Sequence, residues 1–215
     1  MKYQIVPVTP FQQNCSLVWC SQTNKGAVID PGGDIELVEA AIASLGIEVE
    51  KVLLTHAHID HAGASRMLAD KLQVPLVGPH KADQFWLDQL PQQAQMFGLA
   101  LTQAFQPDRY LEDGQAEAVG NLTLNVLHTP GHTPGHVVFY EADSGTAFVG
   151  DVLFSGSIGR TDFPMSNHGD LIASITQKLW PLGDATEFVP GHGPNSTFGA
   201  ERRSNPFVAD AVLAG

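Results

Sequence analysis

The strongest constraint on this fold is that the residues able to do chemistry stand where apolar strands stop. Lys51–Thr55 carries Val52, Leu53 and Leu54 into Thr55-His56-Ala57-His58-Ile59-Asp60-His61, with three imidazoles and a carboxylate in six consecutive positions. His132 stands between two apolar strands, in Pro130-Gly131-His132-Thr133-Pro134-Gly135-His136. Asp151 follows Phe148-Val149-Gly150, and His192 follows another strand in Pro190-Gly191-His192-Gly193. Strand ends along one edge of a packed sheet are where loops converge and sites are built. The chain is expected to bring four such loops together.

The remaining pattern supports layers. Tyr3–Val8, Ser16–Cys20 and Gly26–Asp30 read as strands, and Pro31-Gly32-Gly33 as a turn. Asp34 is placed to cap a helix whose apolar positions Ile35, Val38, Ala41, Ile42 and Leu45 follow helical spacing, with Gly46 stopping it. Ala62–Leu72 reads as a helix, and 80–101 as a helical region broken at Pro91. Strands return at Leu122–Leu127, Val137–Tyr140, Ala147–Val149 and Glu187–Val189, with a helix over Leu171–Leu179. This order predicts two sheets packed together with helices outside, in one domain spanning 1–215.

Composition narrows the partners. The net charge of −12 repels phosphate backbones, and no Lys/Arg-rich run offsets it, so nucleic acid is disfavoured. No segment has the length to span a bilayer, and the first ten residues lack the apolar stretch of a secretory signal. Cys15 and Cys20 flank a strand that holds them too far apart to bridge, so free thiols and a cytoplasmic location are expected.

Three histidines and a carboxylate at this density suit a borderline-soft divalent ion such as zinc. His56 and His58 are two apart, so both rings fall on the same side of an extended segment. Asp60 and His61 open the next helix and should diverge from that pair. Seven candidate ligands, His56, His58, Asp60, His61, His132, Asp151 and His192, exceed one tetrahedral ion and suit two sharing a carboxylate. Coordination lowers the pKa of water towards roughly 7, while a second ion polarises a carbonyl. Asp60 is placed to orient the nucleophile or accept its proton. A thiol leaving group departs as thiolate without a strong acid, and the motifs offer no separate proton donor, which favours a thioester over an amide.

These residues resemble the metallo-β-lactamase superfamily across nearly the whole chain: HxHxDH, then a distal His, an Asp and a final His, all in order. The resemblance implies an αββα sandwich. It assigns His56, His58 and His132 to one metal and Asp60, His61 and His192 to the other, with Asp151 bridging. The ions are expected to be zinc, with iron or manganese as alternatives. Thr55, the 130–136 motif and Gly150-Asp151-Val152-Leu153-Phe154 resemble glyoxalase II, which hydrolyses hydroxyacylglutathione. Gly159-Arg160-Thr161-Asp162 and Glu201-Arg202-Arg203-Ser204-Asn205-Pro206-Phe207 are similar to its short bacterial form. The implied substrate is a small glutathione-derived thioester, S-D-lactoylglutathione. The long form's C-terminal helical region, which supplies glutathione contacts, is expected to be missing from a chain ending at Gly215. Arg160 matches a substrate-contacting lysine of the long form and Asp162 a tyrosine, so Arg160 binds a substrate carboxylate or else forms a structural ion pair.

The other histidines have plainer readings. His136 is expected to support the site or pack, His128 to support the site or be ordinary, and His80 and His168 to be surface or capping residues. The rival enzyme is a persulfide dioxygenase, which carries the same motifs and uses one iron. A non-catalytic metal-binding protein of the same fold is the rival from another class. A β-lactamase proper is expected to carry a signal peptide, and a nuclease of this fold a basic surface.

Overall fold

In the computed structural model, which describes residues 1–214, alternate residues of each central strand feed different layers. Gly215, the last residue of the expected domain, lies outside the described residues. Strand β2 (Gln13–Trp19) sends Leu17 to one core and Val18 to another. Likewise β3 (Lys25–Ile29) separates Val28 from Ala27 and Ile29, and β4 (Glu48–Leu53) separates Val52 from Leu53. Successive side chains point to opposite faces, so a strand apolar at every position is buried on both. With β1 (Lys2–Val8) and β5 (Leu76–Val77) these make a five-stranded sheet in the order β1-β2-β3-β4-β5.

Helices cover its outer face. They are α1 (Ile35–Leu45), the short α2 (Ile59–Ala62), α3 (Ser65–Leu72), α4 (Gln84–Asp88) and α5 (Leu90–Phe97). Val38, Leu68, Leu87 and Leu90 from these helices share a core with Leu17, Val28 and Val52.

The second sheet has the order β13-β12-β9-β8-β7-β6. Its strands are β6 (Ala116–Val119), β7 (Leu122–His128), β8 (Val137–Glu141), β9 (Thr146–Gly150), β12 (Glu187–Pro190) and β13 (Ser196–Thr197). A small hairpin, β10 (Leu153–Phe154) and β11 (Ser157–Ile158), lies between β9 and β12 in the chain. Phe139, Phe148 and Val189 face the first sheet, packing with Val18, Ile29 and Leu53. Val138, Val149 and Phe188 face outward to α6 (His168–Ser174), the π turn Ile175–Leu179 and α7 (Phe198–Ser204). A last helix, α8 (Asp210–Leu213), ends the described chain. Three cores between four layers make the αββα sandwich that the resemblance implied.

Strand direction then sets the site. β3 and β4 are parallel, as are β9 and β12. β7 is antiparallel to β8, which is antiparallel to β9, so β7, β9 and β12 run the same way. The loops that leave these strands at their C-terminal ends carry every candidate ligand.

Local differences have local causes. Asp34 does stand at the start of α1, but with a left-handed backbone and no capping bond. Its carboxylate is taken instead by the Thr9 amide, at 2.7 Å. Pro91 lies in the first turn of α5, where its missing N–H costs nothing, so the helical region divides just before it. The short strands β5, β6 and β13 were not expected from the sequence. Both cysteines are free and buried. No helix among the described residues is long and apolar enough to cross a membrane.

Candidate metal centre

The site begins with a buried carboxylate. Asp30, just beyond β3, accepts the Thr55 amide at 2.7 Å and the Thr55 hydroxyl at 2.5 Å. Its Oδ2 also lies 2.9 Å from His61 Nδ1. A carboxylate oxygen only accepts, so Nδ1 of His61 carries a proton and Nε2 is the atom left to face a cation. The same logic fixes three more rings. His132 Nδ1 donates to the Arg160 carbonyl at 2.8 Å, and His192 Nδ1 to the Phe11 carbonyl at 3.2 Å. Thr55 spends its proton on Asp30, so its oxygen accepts from His56 Nδ1 at 3.0 Å. Four imidazoles are thereby oriented with Nε2 basic and aimed inward, the arrangement that prepares a histidine to bind a metal. His58 differs: its ring is held edge-on by Trp86 and Phe163, and its Nδ1 lies 2.9 Å from His132 Nε2.

All seven expected residues meet here, in two groups. One donor atom from each of His56, His58 and His132 fits within a 4.8 Å span, and the same holds for Asp60, His61 and His192. Asp60 Oδ2 is 3.1 Å from His192 Nε2 and 3.9 Å from His61 Nε2. Asp151 lies between the groups, 3.4 Å from His61 Nε2, 3.8 Å from His192 Nε2 and 3.6 Å from His132 Nε2. His56 Nε2, His61 Nε2 and Asp151 Oδ1 are buried with no hydrogen-bond partner in the protein. Buried polar atoms are rarely left so, and their gathering on these residues fits a cation.

Electrostatics point the same way. Burial drives the pKa values of His56, His58 and His132 down, leaving neutral rings with lone pairs to give. Burial also acts to lower that of His61, but Asp151 and Asp60 override it and hold the value well above the usual imidazole range. His192 is raised in the same way, burial being outweighed by Asp60 and Asp151. Asp151 is kept ionised, far below the ordinary carboxylate range: burial opposes this, and His61, His132 and His192 prevail. Asp60 is also held low, against burial, by His61 and His192. The second group therefore demands positive charge.

Supporting residues outnumber those expected. His136 is fully buried, stacks on His56 and accepts the Asp151 amide on Nε2 at 3.1 Å, so it backs the site as anticipated. His128 donates to the Pro134 carbonyl and stacks on His80, and His80 caps the 3-10 turn at 81–83. Asp83 was not anticipated. Its buried carboxylate accepts the Ala57 amide at 3.0 Å, the Thr133 hydroxyl at 2.8 Å and the Gly135 amide at 2.5 Å. It thus fastens the loop of His56 and His58 to the loop of His132. Asp30 shares the strand-end, Pro/Gly-flanked signature of the ligands, so a signal for it existed.

The centre floors a cavity of about 650 Å³. Phe11, Trp86, Met96, Phe97, Phe154 and Phe163 supply much of its wall. Arg160 is on the rim, exposed, ion-paired with Asp162 at 2.8 Å and lying 4.5 Å from the centroid of the Phe163 ring. Its carbonyl orients His132, a role the sequence did not reveal.

Comparison with known proteins agrees with this fold. The family model described as the Metallo-beta-lactamase superfamily matches residues 8–192. A hydroxyacylglutathione hydrolase of Haemophilus influenzae, GloC, is 46% identical over 97% of this chain and 98% of its own length. Among solved structures, the B3 metallo-beta-lactamase BLEG-1 superposes with a TM-score of 0.89 at 35% identity, over 96% of this chain and 99% of that one. TTHA1623 in a di-iron-bound form gives 0.87 at 38%, over 95% and 100%. ETHE1 from Myxococcus xanthus gives 0.78 at 27%, over 97% and 85%.

Proposed function

The chain belongs to the metallo-β-lactamase superfamily, and from that premise we propose that it is a dinuclear metallo-hydrolase of glutathione-derived thioesters such as S-D-lactoylglutathione. The observation that carries this reading is the second donor group, Asp60, His61 and His192, set beside the first with Asp151 between them. A one-iron dioxygenase needs only one such group, and the ETHE1 likeness is lower than that to the hydrolase GloC. His56, His58 and His132 would hold one ion, Asp60, His61 and His192 the other, and Asp151 both. Zinc suits this nitrogen-rich set, with iron or manganese the alternatives. When bound, the ions supply acidified water and a polarised carbonyl.

The chain's own groups do the rest. Asp60, ionised, orients the attacking water and accepts its proton. Asp30, Thr55 and the Arg160 and Phe11 carbonyls keep the imidazoles from turning. A thiol leaves as thiolate without a donor, and no Lys, Tyr or Cys is among the described residues lining the cavity. The reading includes a cytoplasmic location, where glutathione thioesters arise.

The test is thiol release from S-D-lactoylglutathione by protein with its metals counted. We expect two equivalents of metal and steady thiol release, lost in Asp60→Ala with the fold kept. A single iron with oxygen uptake on glutathione persulfide would overturn the assignment, as would turnover of a β-lactam without turnover of the thioester.

A further inference from the structure

The cavity above the centre is lined largely by apolar side chains. Phe11, from the turn between β1 and β2, and Phe97, from the end of α5, meet edge to face with ring centroids 5.7 Å apart. Both are nearly half exposed, at 43% and 46%, and Met96 beside them is 77% exposed. Apolar side chains from separate elements, gathered at the mouth of a cavity, mark a binding surface. The apolar wall continues inward through Trp86 and Phe163, whose rings are edge-on to His58, so it reaches the donor atoms themselves. Arg160 is the one Lys or Arg among the described lining residues, and Asp162 already pairs with it.

We propose that this wall seats the acyl half of the substrate, and that the preferred thioesters carry a bulky apolar or aryl acyl group. The proposal rests on the thioesterase reading. Glutathione brings two carboxylates and an ammonium, which a surface of Phe, Met and Trp cannot partner without loss. The thiol half is therefore directed away from that wall. The acyl half takes the aromatic side. A lactoyl group offers that side only a methyl.

Two measurements test this. With zinc-loaded protein, S-D-mandeloylglutathione differs from S-D-lactoylglutathione by a phenyl in place of the methyl. Its kcat/KM is expected to be higher by about ten-fold or more, chiefly through KM, the scale on which apolar contacts discriminate. Met96→Ala and Phe97→Ala together should bring that ratio towards one; both side chains are exposed enough to be lost without unfolding. Without metal, quenching of tryptophan fluorescence should show S-hexylglutathione binding about ten-fold or more tightly than S-methylglutathione, through burial of the added methylenes. A ratio near or below one, or a ratio unchanged in the double variant, overturns the inference while the hydrolase reading stands. No thiol release from either ester by protein holding two zinc ions overturns both.

Discussion

Asp30 shows how much of this site depends on residues that touch no substrate. One carboxylate receives three donors, two from Thr55 and one from His61. An amide in its place turns one acceptor into a donor and faces His61 with the wrong partner. Asp30→Asn should therefore weaken metal binding at the second group by about 10–100-fold, the range for such outer partners, with the fold retained. Zinc competition against a chelating dye, with circular dichroism alongside, reads both. Asp83 makes a different prediction. Burial pushes its carboxyl up to about 7, against the pull of its donors Thr133, Gly135 and Ala57. The folded chain thus holds a proton there that the unfolded chain releases near the ordinary carboxylate value, and this contribution to stability is lost as pH rises from about 4 to about 7. The melting temperature of metal-free wild type, relative to Asp83→Asn, should fall between pH 5 and pH 8; a difference independent of pH would count against it. Asp30 was half legible in the sequence, since it ends a strand beside Pro31 and Gly32 as the ligands do. Spacing does not distinguish an acid that steadies a histidine from one that holds an ion. Asp83 was not legible: it lies in an unremarkable helical stretch, and its side-chain and backbone partners are 26 to 52 positions away.

Among the elements, the central strands were the easiest to read, because β2, β3, β8, β9 and the end of β4 bury apolar residues on both faces. The edge strands were not. β6 buries Glu117, which pairs with Lys51 at 3.0 Å and with Arg109 at 2.6 Å, so an acidic residue occupies a position where the alternation demands an apolar one. β5 and β13 have two residues each, too few for any period to register. At two strand-end glycines, contact leaves no room for a side chain. Gly150 takes φ 48°, and a Cβ there would stand 2.6 Å from both His136 Nε2 and Thr55 Oγ1. A Cβ on Gly191 would meet the Asp151 carboxylate and come within 2.6 Å of His61 Cε1. Gly191→Ala should accordingly lower thiol release by about a hundred-fold, the cost of displacing groups in a preorganised site by an ångström or so. Global stability should change far less. Equal losses of activity and melting temperature would argue against this.

At the scale of the whole molecule, each group draws two donors from the first sheet and one from the second, with Asp151 added from the second. His56, His58, Asp60 and His61 leave the first sheet, while His132, Asp151 and His192 leave the second. Anything bound by both halves favours the docked state. Chelation should therefore lower the melting temperature by roughly 5–10 °C, taking a ligand at about a hundred times its Kd and a chain of this size. Differential scanning fluorimetry with and without EDTA, then with zinc restored, checks both the loss and its reversal. The division between sheets also sets a timetable for a chain made from its N-terminus. The first group stays open until His132 has emerged and folded, and the second waits for His192. Completing the second group then follows the folding of the second sheet, and a product cut short before Pro190 is left with one complete group at most.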